Sequence, residues 1–394
     1  MNARTDAGLP VRRSERLPTG LLEVDLYSGA EELDALLGFA ARANAKRGFL
    51  FLSKVLGKHW PVRPADMLAV HARLAAGVPG DEGPVLFIAM AETAVGLGQG
   101  VFEAWLRANP GREALFLHTT RYRVGNGPII EFEEAHSHAP RQFLHMPEGR
   151  HEQDLLLQAK TIVLVDDEAS TGNTFVNLAQ ACRRLNPAIA RVHLAVITNF
   201  MGQAATSALA ARFGMPATMG ALVEGEYRFE QSNVPVDAAP AQRFDAQAER
   251  GASRAFGRLG LARPLRTPAA LARRLADGIA PGDKVLVLGT GEFMHASTLL
   301  GAALEAHGVD VVVQSTTRSP ILTWGAVGHA LSFPDNYGEG IANFLYNVAP
   351  GQYAQVLVCH ETPPNAALRE LVHQLGARLF HYHTEDDVEE VPVR

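Results

Sequence analysis

The sequence predicts two α/β domains, each with a mostly parallel sheet flanked by helices. The first observation is a series of short, continuous apolar runs at residues 85–90, 114–118, 162–165 and 192–198. Such runs are typical of strands buried on both faces of a parallel sheet, and helical patterns lie between several of them. The second observation is that strand and helix patterns alternate again from residue 283, after a stretch without a clear period.

Composition and charge narrow the class of protein before any motif is considered. A chain of 394 residues is long for one hydrophobic core and sufficient for two domains. A net charge of -6 does not suggest a basic face, so nucleic acid is not expected as a partner. No apolar run reaches the roughly 20 residues that cross a bilayer, and the N-terminus lacks the apolar core of a signal peptide. With two cysteines and no disulfide framework, we expect a cytoplasmic protein that does not contact a membrane.

The pattern of elements sets the expected domain boundaries. Residues 1–25 are expected to be a disordered tail that leads into a short strand pattern, LLEVDLYSG. A first domain is expected over residues 26–234, and the spacing of its first leucines predicts a helix at 31–46. Residues 235–270 contain several Pro, Gly and polar residues, and we expect them to connect this domain to a smaller one at 271–394.

The smaller domain is expected to repeat the alternation of the first. Its elements follow in the order strand DKVLVLGTG, helix EFMHASTLLGAALEAHG, strand VDVVVQS, strand VLVCH, helix NAALRELVHQLG and strand ARLFHY. The sequence therefore predicts a second α/β unit of similar architecture.

An acidic pair and a loop of small residues follow the apolar strand at 162–165. Asp166 and Asp167 come directly after the strand, and residues 170–174 open the next helix. Ligands of open α/β sheets bind where strands end and helices begin, and the N–H groups of a helix start suit a phosphate. Gly172 lets the backbone approach a ligand closely. The loop is therefore a candidate phosphate site.

The two carboxylates suit a vicinal diol. They only accept hydrogen bonds, and the neighbouring hydroxyls of a ribose offer two donors. Adjacent acids would otherwise repel each other, so a nearby Mg²⁺ would relieve the same tension. The alternative is a generic strand, turn and helix with a capping Ser or Thr.

The whole segment TIVLVDDEASTGNT, residues 161–174, resembles the phosphoribosyl pyrophosphate (PRPP) signature of type I phosphoribosyltransferases. The resemblance implies the type I phosphoribosyltransferase fold for the first domain. It implies that Asp166 and Asp167 bind the ribose hydroxyls. It also implies that the 5′-phosphate is wrapped by Ser170, Thr171, Gly172, Asn173 and Thr174. Glu168 and Ala169 depart from the family, whose commoner members have two apolar residues there; the extra acid either brings a metal closer or faces solvent.

The resemblance places a pyrophosphate loop after an earlier strand. Here VLFIAM runs into a segment of small residues that contains Glu92, Thr93 and Ala94. Backbone N–H groups of such a segment would form a concave anion site. An ordinary strand-to-helix turn fits the same residues.

Two arginines follow the strand at 114–118. Arg121 and Arg123 alternate with Tyr122, so both would face the same side if the chain stays extended. Two guanidinium groups would neutralise a leaving pyrophosphate, whose charge grows in the transition state. We therefore expect both to serve in catalysis.

A polar segment with acids and histidines comes next along the chain. Family members place a mobile lid in this part, which would exclude water from the reaction. Three interpretations remain open, namely a lid, a dedicated metal site or a polar surface hairpin. The residues concerned are Glu133, Glu134, His136 and His138.

The motif Thr317-Arg318-Ser319-Pro320 follows a strand of the smaller domain. It matches the TRSP domain that follows one orotate-phosphoribosyltransferase-like branch of the family, whose members are similar to proteins encoded beside tellurium- and stress-resistance genes. Arg318 and Ser319 at a strand end are placed to grip an anion. Gly289 and Gly291 open a helix without the third glycine of the dinucleotide fingerprint. Together these groups favour a second ligand cleft, although each fits a turn or a cap when taken singly.

The resemblance implies a Mg²⁺-dependent phosphoribosyltransferase. Such an enzyme joins ribose 5-phosphate from PRPP to a nitrogenous base, or runs the reaction backwards, with pyrophosphate as the leaving group. The expected partners are PRPP and a nucleobase-like small molecule. The alternative is a non-catalytic PRPP or nucleotide sensor. Transferases of this class are often dimers, so a homodimer is compatible with the resemblance.

Overall fold

The apolar runs of the sequence form the centres of two sheets. A computed structural model describes residues 9–42, 47–80, 83–125, 127–133, 141–232 and 252–392. Within them, no helix combines the length and apolar character needed to cross a membrane.

The first domain is built on a seven-stranded sheet. Its elements are β1 Val11–Leu17, β2 Gly20–Ser28, a 3-10 turn Ala30–Glu32, α1 Leu33–Leu36, β3 Leu37–Ala41, β4 Phe49–Ser53, α2 Pro64–Ala76, β5 Val85–Ala89, α3 Val95–Ala108, β6 Ala114–His118, β7 Ile129–Glu133, β8 Arg141–His145, α4 Arg150–Gln158, β9 Thr161–Ala169, α5 Asn173–Leu185, β10 Arg191–Asn199, α6 Gln203–Ser207, α7 Leu209–Phe213 and β11 Ala217–Gln231. The strand order is β1-β2-β11-β10-β9-β5-β6, and the strands from β11 to β6 are parallel.

The second domain has a five-stranded sheet and a separate hairpin. Its elements are α8 Ala269–Ala276, β12 Lys284–Gly289, α9 His295–Ala306, β13 Asp310–Ser315, β14 Ala330–Pro334, β15 Ala342–Tyr346, β16 Gln355–His360, α10 Ala366–Leu375, β17 Arg378–Tyr382 and β18 Val388–Val391. The order β13-β12-β16-β17-β18 is parallel except for β18, which confirms the predicted α/β architecture.

Two predictions near the N-terminus are wrong. The tail expected at residues 1–25 is wrong because it contains β1, which pairs with β2. The strand predicted in LLEVDLYSG is confirmed as β2, whose alternate side chains Leu22, Val24 and Leu26 are buried and which also pairs with β11. The helix expected at 31–46 is only one turn, α1, and the chain continues as β3, which pairs with β4. Its apolar residues fill a sheet and not a helix face.

The described part of the connection, residues 252–268, packs against both domains. Leu261 and Phe116 of β6 exchange backbone hydrogen bonds of 2.8 and 2.9 Å. A second backbone bridge joins Val62, in the loop before α2, to Val313 of β13. These pairings hold the carboxyl end of the first sheet beside the strand ends of the second domain.

Acid should destabilise the first domain because α2 carries a buried histidine. His71 lies against Gly100 of α3, and burial lowers its pKa from 6.5 to about 3, with His295 adding to the shift. In the unfolded chain the histidine gains a proton as the pH falls below its usual pKa of 6.5, whereas in the folded chain it stays neutral there. The free energy of unfolding therefore falls progressively below about pH 6.5. Between about pH 7.5 and 5.5 the free energy of unfolding of the wild type should fall by about 1.4 kcal/mol more than that of His71→Gln, which lacks this titrating group. Urea unfolding at both pH values tests this; identical pH dependence in variant and wild type would contradict it.

Candidate active site

A cleft of about 240 Å³ opens at the carboxyl ends of β5 and β9. Both domains contribute to its walls. The lining residues are Arg42, Arg47, Leu50, His59, Met90, Ala91, Glu92, Thr93, Arg121, Asp166, Asp167, Glu168, Ser170, Thr171, Gly172, Thr174, Phe175, Thr317, Arg318 and Ser319. Four arginines and four acids among them make the cleft strongly polar.

The acidic pair lies in this cleft at the end of β9. Asp166 and Asp167 are both partly buried, and the backbone N–H of Asp167 donates to Asp166 Oδ1 at 2.9 Å. Burial raises the pKa of Asp167 above its usual range. A bound cation, or hydroxyl groups that donate to the carboxylate, would offset this effect and favour the ionised form.

Glu168, which departs from the family pattern, also lines the cleft. Its two carboxylate oxygens accept hydrogen bonds of 2.6 and 2.8 Å from one nitrogen of Arg47. Arg47 also stacks over the ring of Phe49, 4.8 Å from its centroid. The extra acid is therefore held by a cation in the cleft wall and does not extend into solvent.

The loop after β9 presents most of its predicted residues to the cleft. Ser170, Thr171, Gly172 and Thr174 line it, at the N-terminus of α5. Gly172 has a φ of 72°, and a Cβ there would lie 2.9 Å from the sulfur of Met201. Only glycine fits this position without strain.

Asn173 is the exception among the five residues of this loop. Its side-chain oxygen accepts a hydrogen bond of 2.8 Å from Arg212, and the residue is not part of the cleft wall. Its backbone still belongs to the first turn of α5, where free N–H groups favour an anion.

The predicted pyrophosphate loop follows β5 and reaches the cleft through Glu92 and Thr93. Its start is fixed by two buried side chains. Thr119 Oγ1 accepts from the N–H of Ala91 at 2.7 Å, and Gln142 donates to the carbonyl of Ala91 at 3.0 Å. Ala94 is buried as the N-cap of α3 and does not line the cleft.

Glu92 holds cations in place at the cleft. Its carboxylate lies 3.0 Å from the ammonium of the fully buried Lys58 and 3.9 Å from the guanidinium of Arg318. Burial alone would raise its pKa, but Lys58 and Arg318 keep it below the usual range. Because Glu92 is negative, the groups of this loop that could contact an anion are its backbone N–H groups and the cations that Glu92 orients.

The two arginines after β6 separate. Arg121 lines the cleft, and its backbone N–H donates to Glu292 of the second domain at 2.9 Å. Arg123 lies outside: it pairs with Glu131 at 3.1 Å and stacks over Phe143. The prediction of a common side is wrong because β6 ends at His118 and the chain turns, so the alternation of a strand no longer applies.

The predicted lid lies largely outside the described residues. This holds for Glu134, His136, His138 and the side chain of Glu133, whose backbone ends β7. The flanking strands β7 and β8 are an antiparallel pair. The lid, metal and surface-hairpin interpretations therefore all stay predictions.

The residues predicted for a second cleft divide between two places. Arg318 and Ser319 line the same cleft as the acidic pair and the loop after β9. Gly289 and Gly291 are instead packed at the domain boundary: a Cβ at Gly289 would meet a backbone oxygen at 2.3 Å, and the carbonyl of Gly291 accepts from Lys58 at 2.6 Å. Among the described residues, Arg318 and Ser319 therefore belong to the cleft of the acidic pair, and Gly289 and Gly291 do not line it.

Arg318 is fixed by groups from both domains. It donates to Tyr122 of the first domain at 2.6 Å and to Glu339 of its own domain at 3.1 Å. Its guanidinium also lies 4.9 Å from the centre of the Tyr122 ring, which in turn stacks on Tyr337 at 4.4 Å. The guanidinium is therefore held rigidly at the cleft surface.

Two further cleft residues gave no signal in the sequence. Arg42 donates to the hydroxyl of Ser319 at 2.7 Å, and burial lowers its pKa to about 10. His59 is buried, its Nε2 has no hydrogen-bond partner among the described residues, and burial lowers its pKa to about 3. Arg42 fell within a predicted helix, and His59 belongs to no motif, so only the tertiary structure brings them to the site.

The fold and the site together define a phosphoribosyltransferase-type α/β domain whose cleft is completed by a second domain. Residues 36–226 match a family described as phosphoribosyl transferase, and residues 256–375 match the TRSP domain found C-terminal to it. Between them the two matches span most of the chain. The chain therefore belongs to this phosphoribosyl transferase family with a C-terminal TRSP domain.

Several solved structures are similar to about half of this chain. An adenine phosphoribosyltransferase from Thermoanaerobacter pseudethanolicus is 16% identical, with 48% of this chain and 98% of that chain covered and a TM-score of 0.32. An adenine phosphoribosyltransferase from Trypanosoma brucei, in complex with AMP, pyrophosphate and ribose-5-phosphate, is 13% identical over 48% of this chain and 78% of that one, with a TM-score of 0.32. An orotate phosphoribosyltransferase from Mycobacterium tuberculosis is 14% identical over 49% and 95%, with a TM-score of 0.27. No curated protein matches the sequence.

Proposed function

We propose that the chain is an enzyme that uses PRPP and Mg²⁺ to form or cleave the N-glycosidic bond between ribose 5-phosphate and a nitrogenous base. The observation that carries the proposal is one cleft with a carboxylate pair, a helix N-terminus and several arginines. A sugar with a phosphate at one end and a pyrophosphate at the other needs these three kinds of group.

We assign each part of PRPP to a group of residues in the cleft. Ser170, Thr171, Gly172 and Thr174, with the first turn of α5, would hold the 5′-phosphate. Asp166 and Asp167 would accept hydrogen bonds from the two ribose hydroxyls. The loop with Glu92 and Thr93 would receive the pyrophosphate through its backbone. We assign Arg121 and Arg318 to the charge that grows on the leaving group.

The carboxylates also fit a magnesium ion. Mg²⁺ prefers oxygen ligands and is usually bound by one or two carboxylates together with substrate phosphates. Asp166 and Asp167 supply such oxygens beside the proposed sugar site, and the pKa of Asp167, raised by burial, leaves this acid in need of a cationic or donor partner. When bound, the ion would neutralise pyrophosphate and so assist its departure.

The protein's own part in the reaction is positioning and charge stabilisation. Breaking the bond at the anomeric carbon leaves positive charge on the sugar and negative charge on pyrophosphate. The carboxylates and arginines lie in the same cleft, so each developing charge would have a preorganised partner. No side chain is required as a nucleophile, because the base attacks directly.

Two measurements test this function against the alternative of a PRPP or nucleotide sensor. Isothermal titration with PRPP and Mg²⁺ reports binding, and pyrophosphate release with a panel of bases reports turnover. The proposal expects both. Binding without release under any base would replace the enzyme with the sensor, and absence of binding would contradict both interpretations.

Asp167→Asn should weaken PRPP binding at least about tenfold, or about 1.4 kcal/mol. The substitution keeps the shape of the side chain but replaces one acceptor oxygen with a donor and removes the negative charge. Asp154→Asn is the matched control, since Asp154 is exposed on α4. Titration calorimetry with Mg²⁺ present gives both affinities. If the wild type and Asp167→Asn bind PRPP with equal affinity, Asp167 is not part of the PRPP site.

A further inference from the structure

A cluster of potential metal ligands lies on the last hairpin of the second domain, away from the residues that line the cleft. His381, His383 and Glu389 each offer one ligand atom, and these atoms lie within 4.8 Å of one another. His381 belongs to β17, His383 follows it, and Glu389 belongs to β18. Among the residues that the structure describes, these three are the one group of histidine, cysteine and acidic side chains that lie close enough together to hold a metal ion.

The pairing of the two strands explains why these side chains converge. His381 and Glu389 are direct cross-strand partners, so they lie on the same face of the sheet. His383 is two residues further along and returns to that face. The nearest pair, His383 Nε2 and Glu389 Oε2, is 3.3 Å apart, and the His381 and His383 rings have centroids separated by 4.0 Å.

The donor set suits a transition-metal ion. Two imidazole nitrogens and one carboxylate oxygen are ligands of Zn²⁺, which binds them at about 2.0–2.2 Å in tetrahedral geometry. Tetrahedral ligand atoms at that bond length are about 3.3 Å apart, which the His383–Glu389 pair already meets. All three ligand atoms must come this close, and the exposed side chains of His383 and Glu389 have room to move towards the less exposed His381. Mg²⁺ and Ca²⁺ prefer sites made only of oxygen.

The surroundings restrain the most buried ligand. The ring of His381 stacks on His360 of β16, with centroids 4.8 Å apart and planes at 8°. His360 is fully buried, and its Nδ1 lies 2.7 Å from the carbonyl of Thr362, so Nδ1 carries the proton. Its Nε2 has no hydrogen-bond partner among the described residues. His381 itself makes a hydrogen bond to the backbone of Glu361, and histidines that bind metals are typically held by such a bond to a backbone carbonyl.

We propose that His381, His383 and Glu389 form a site for one zinc-like divalent ion, independent of the cleft and of its proposed function. The fourth position would be taken by water or by an external ligand. Because β18 lies at the edge of its sheet and, among the described strands, pairs with β17 alone, the ion would tie this strand to β17. Bound metal would therefore stabilise this hairpin against opening.

Isothermal titration of the full chain with Zn²⁺, without PRPP, tests the site. We expect one equivalent to bind with a Kd of about 1 µM or tighter, and millimolar Mg²⁺ should not compete. His381→Ala, His383→Ala and Glu389→Gln should each weaken binding at least about tenfold. His307→Ala is the matched control at an exposed histidine outside the cluster, and it should bind as the wild type does.

Two further results decide where the ion binds. Asp167→Asn should keep the zinc affinity of the wild type, since this acid lies in the cleft. Circular dichroism confirms that each variant is folded, and Glu389→Gln, at an exposed side chain, guards against loss of folding in the histidine variants. The proposal fails if zinc does not saturate, if the double variant His381→Ala/His383→Ala binds as the wild type does, or if Asp167→Asn abolishes binding.

Discussion

Replacing Arg258 with alanine should lower the free energy of unfolding by about 3–5 kcal/mol. Arg258 is 1% exposed and makes charge-assisted hydrogen bonds to two buried carboxylates. It donates to Glu292 at 2.9 and 3.1 Å and to Glu361 at 2.7 Å from each of two nitrogens. Without the guanidinium, both acids would remain in the domain boundary without their cation, which is the costly case for a buried ion pair.

The two carboxylates cannot escape to solvent when the arginine is lost. Glu292 also accepts from the hydroxyl of Thr120 at 2.7 Å and the N–H of Arg121 at 2.9 Å, and Glu361 accepts from Tyr337 at 3.0 Å. Burial alone would raise the pKa of Glu292, but Arg258 keeps it below its usual value. In the variant this pKa should rise, so the acid would be protonated nearer neutral pH.

Urea unfolding followed by tryptophan fluorescence measures the effect. Arg63→Ala is the control, because Arg63 makes an ion pair with Asp66 on the surface, and such a pair contributes about 0–1 kcal/mol. The difference in free energy of unfolding between Arg258→Ala and the wild type should become smaller at acid pH, because protonation of Glu292 and Glu361 removes the unpaired charges. If Arg258→Ala lowers the free energy of unfolding no more than Arg63→Ala does, the ion pairs of Arg258 do not stabilise the contact between the two domains.

Contacts between the two domains also limit how much of the site the sequence could predict. The phosphate loop was predictable because its signal is local: an apolar strand, two acids, a glycine and a helix follow one another within residues 161–174. Lys58 is different. Its ammonium contacts Gly291, which lies 233 residues further along the chain, and no local pattern encodes such a contact. Arg42 and His59 escaped prediction for the same reason.

The fold shows a related limit. The central strands were predictable because burial on both faces demands continuous apolar runs. β1 was missed because VRRSERL is an edge strand with mostly exposed, charged side chains, which reads as a tail. The stretch that became β3 has leucines and alanines whose spacing also fits a helix, and only its pairing with β4 decides between the two.

Arg318→Ala should reduce kcat/KM for phosphoribosyl transfer by about a hundredfold to a thousandfold, if the proposed function holds. Arg318 belongs to the second domain, yet its guanidinium lines the cleft that holds Asp167. Although burial opposes it, the negative charges of Glu92 and Glu339 raise the pKa of Arg318, so the side chain stays charged. A cation held in this way stabilises the transition state most strongly where negative charge grows on the leaving group.

Arg318→Lys separates charge from geometry. A lysine keeps the positive charge but cannot bond two partners with a planar fork, as Arg318 does with Tyr122 and Glu339, so activity should be restored only in part. Arg378→Ala is the control from the same domain, since Arg378 pairs with Glu390 on the surface.

Initial rates of pyrophosphate release give kcat and KM for each variant, and thermal unfolding confirms that each is folded. A fall mainly in kcat would place Arg318 at the developing charge, whereas a rise in KM alone would make it a binding group. If the chain binds PRPP without turnover, the same substitution should weaken PRPP binding at least about tenfold. A variant within about threefold of the wild type in both assays, alongside an impaired Asp167→Asn, would mean that the second domain borders the cleft without taking part in its chemistry.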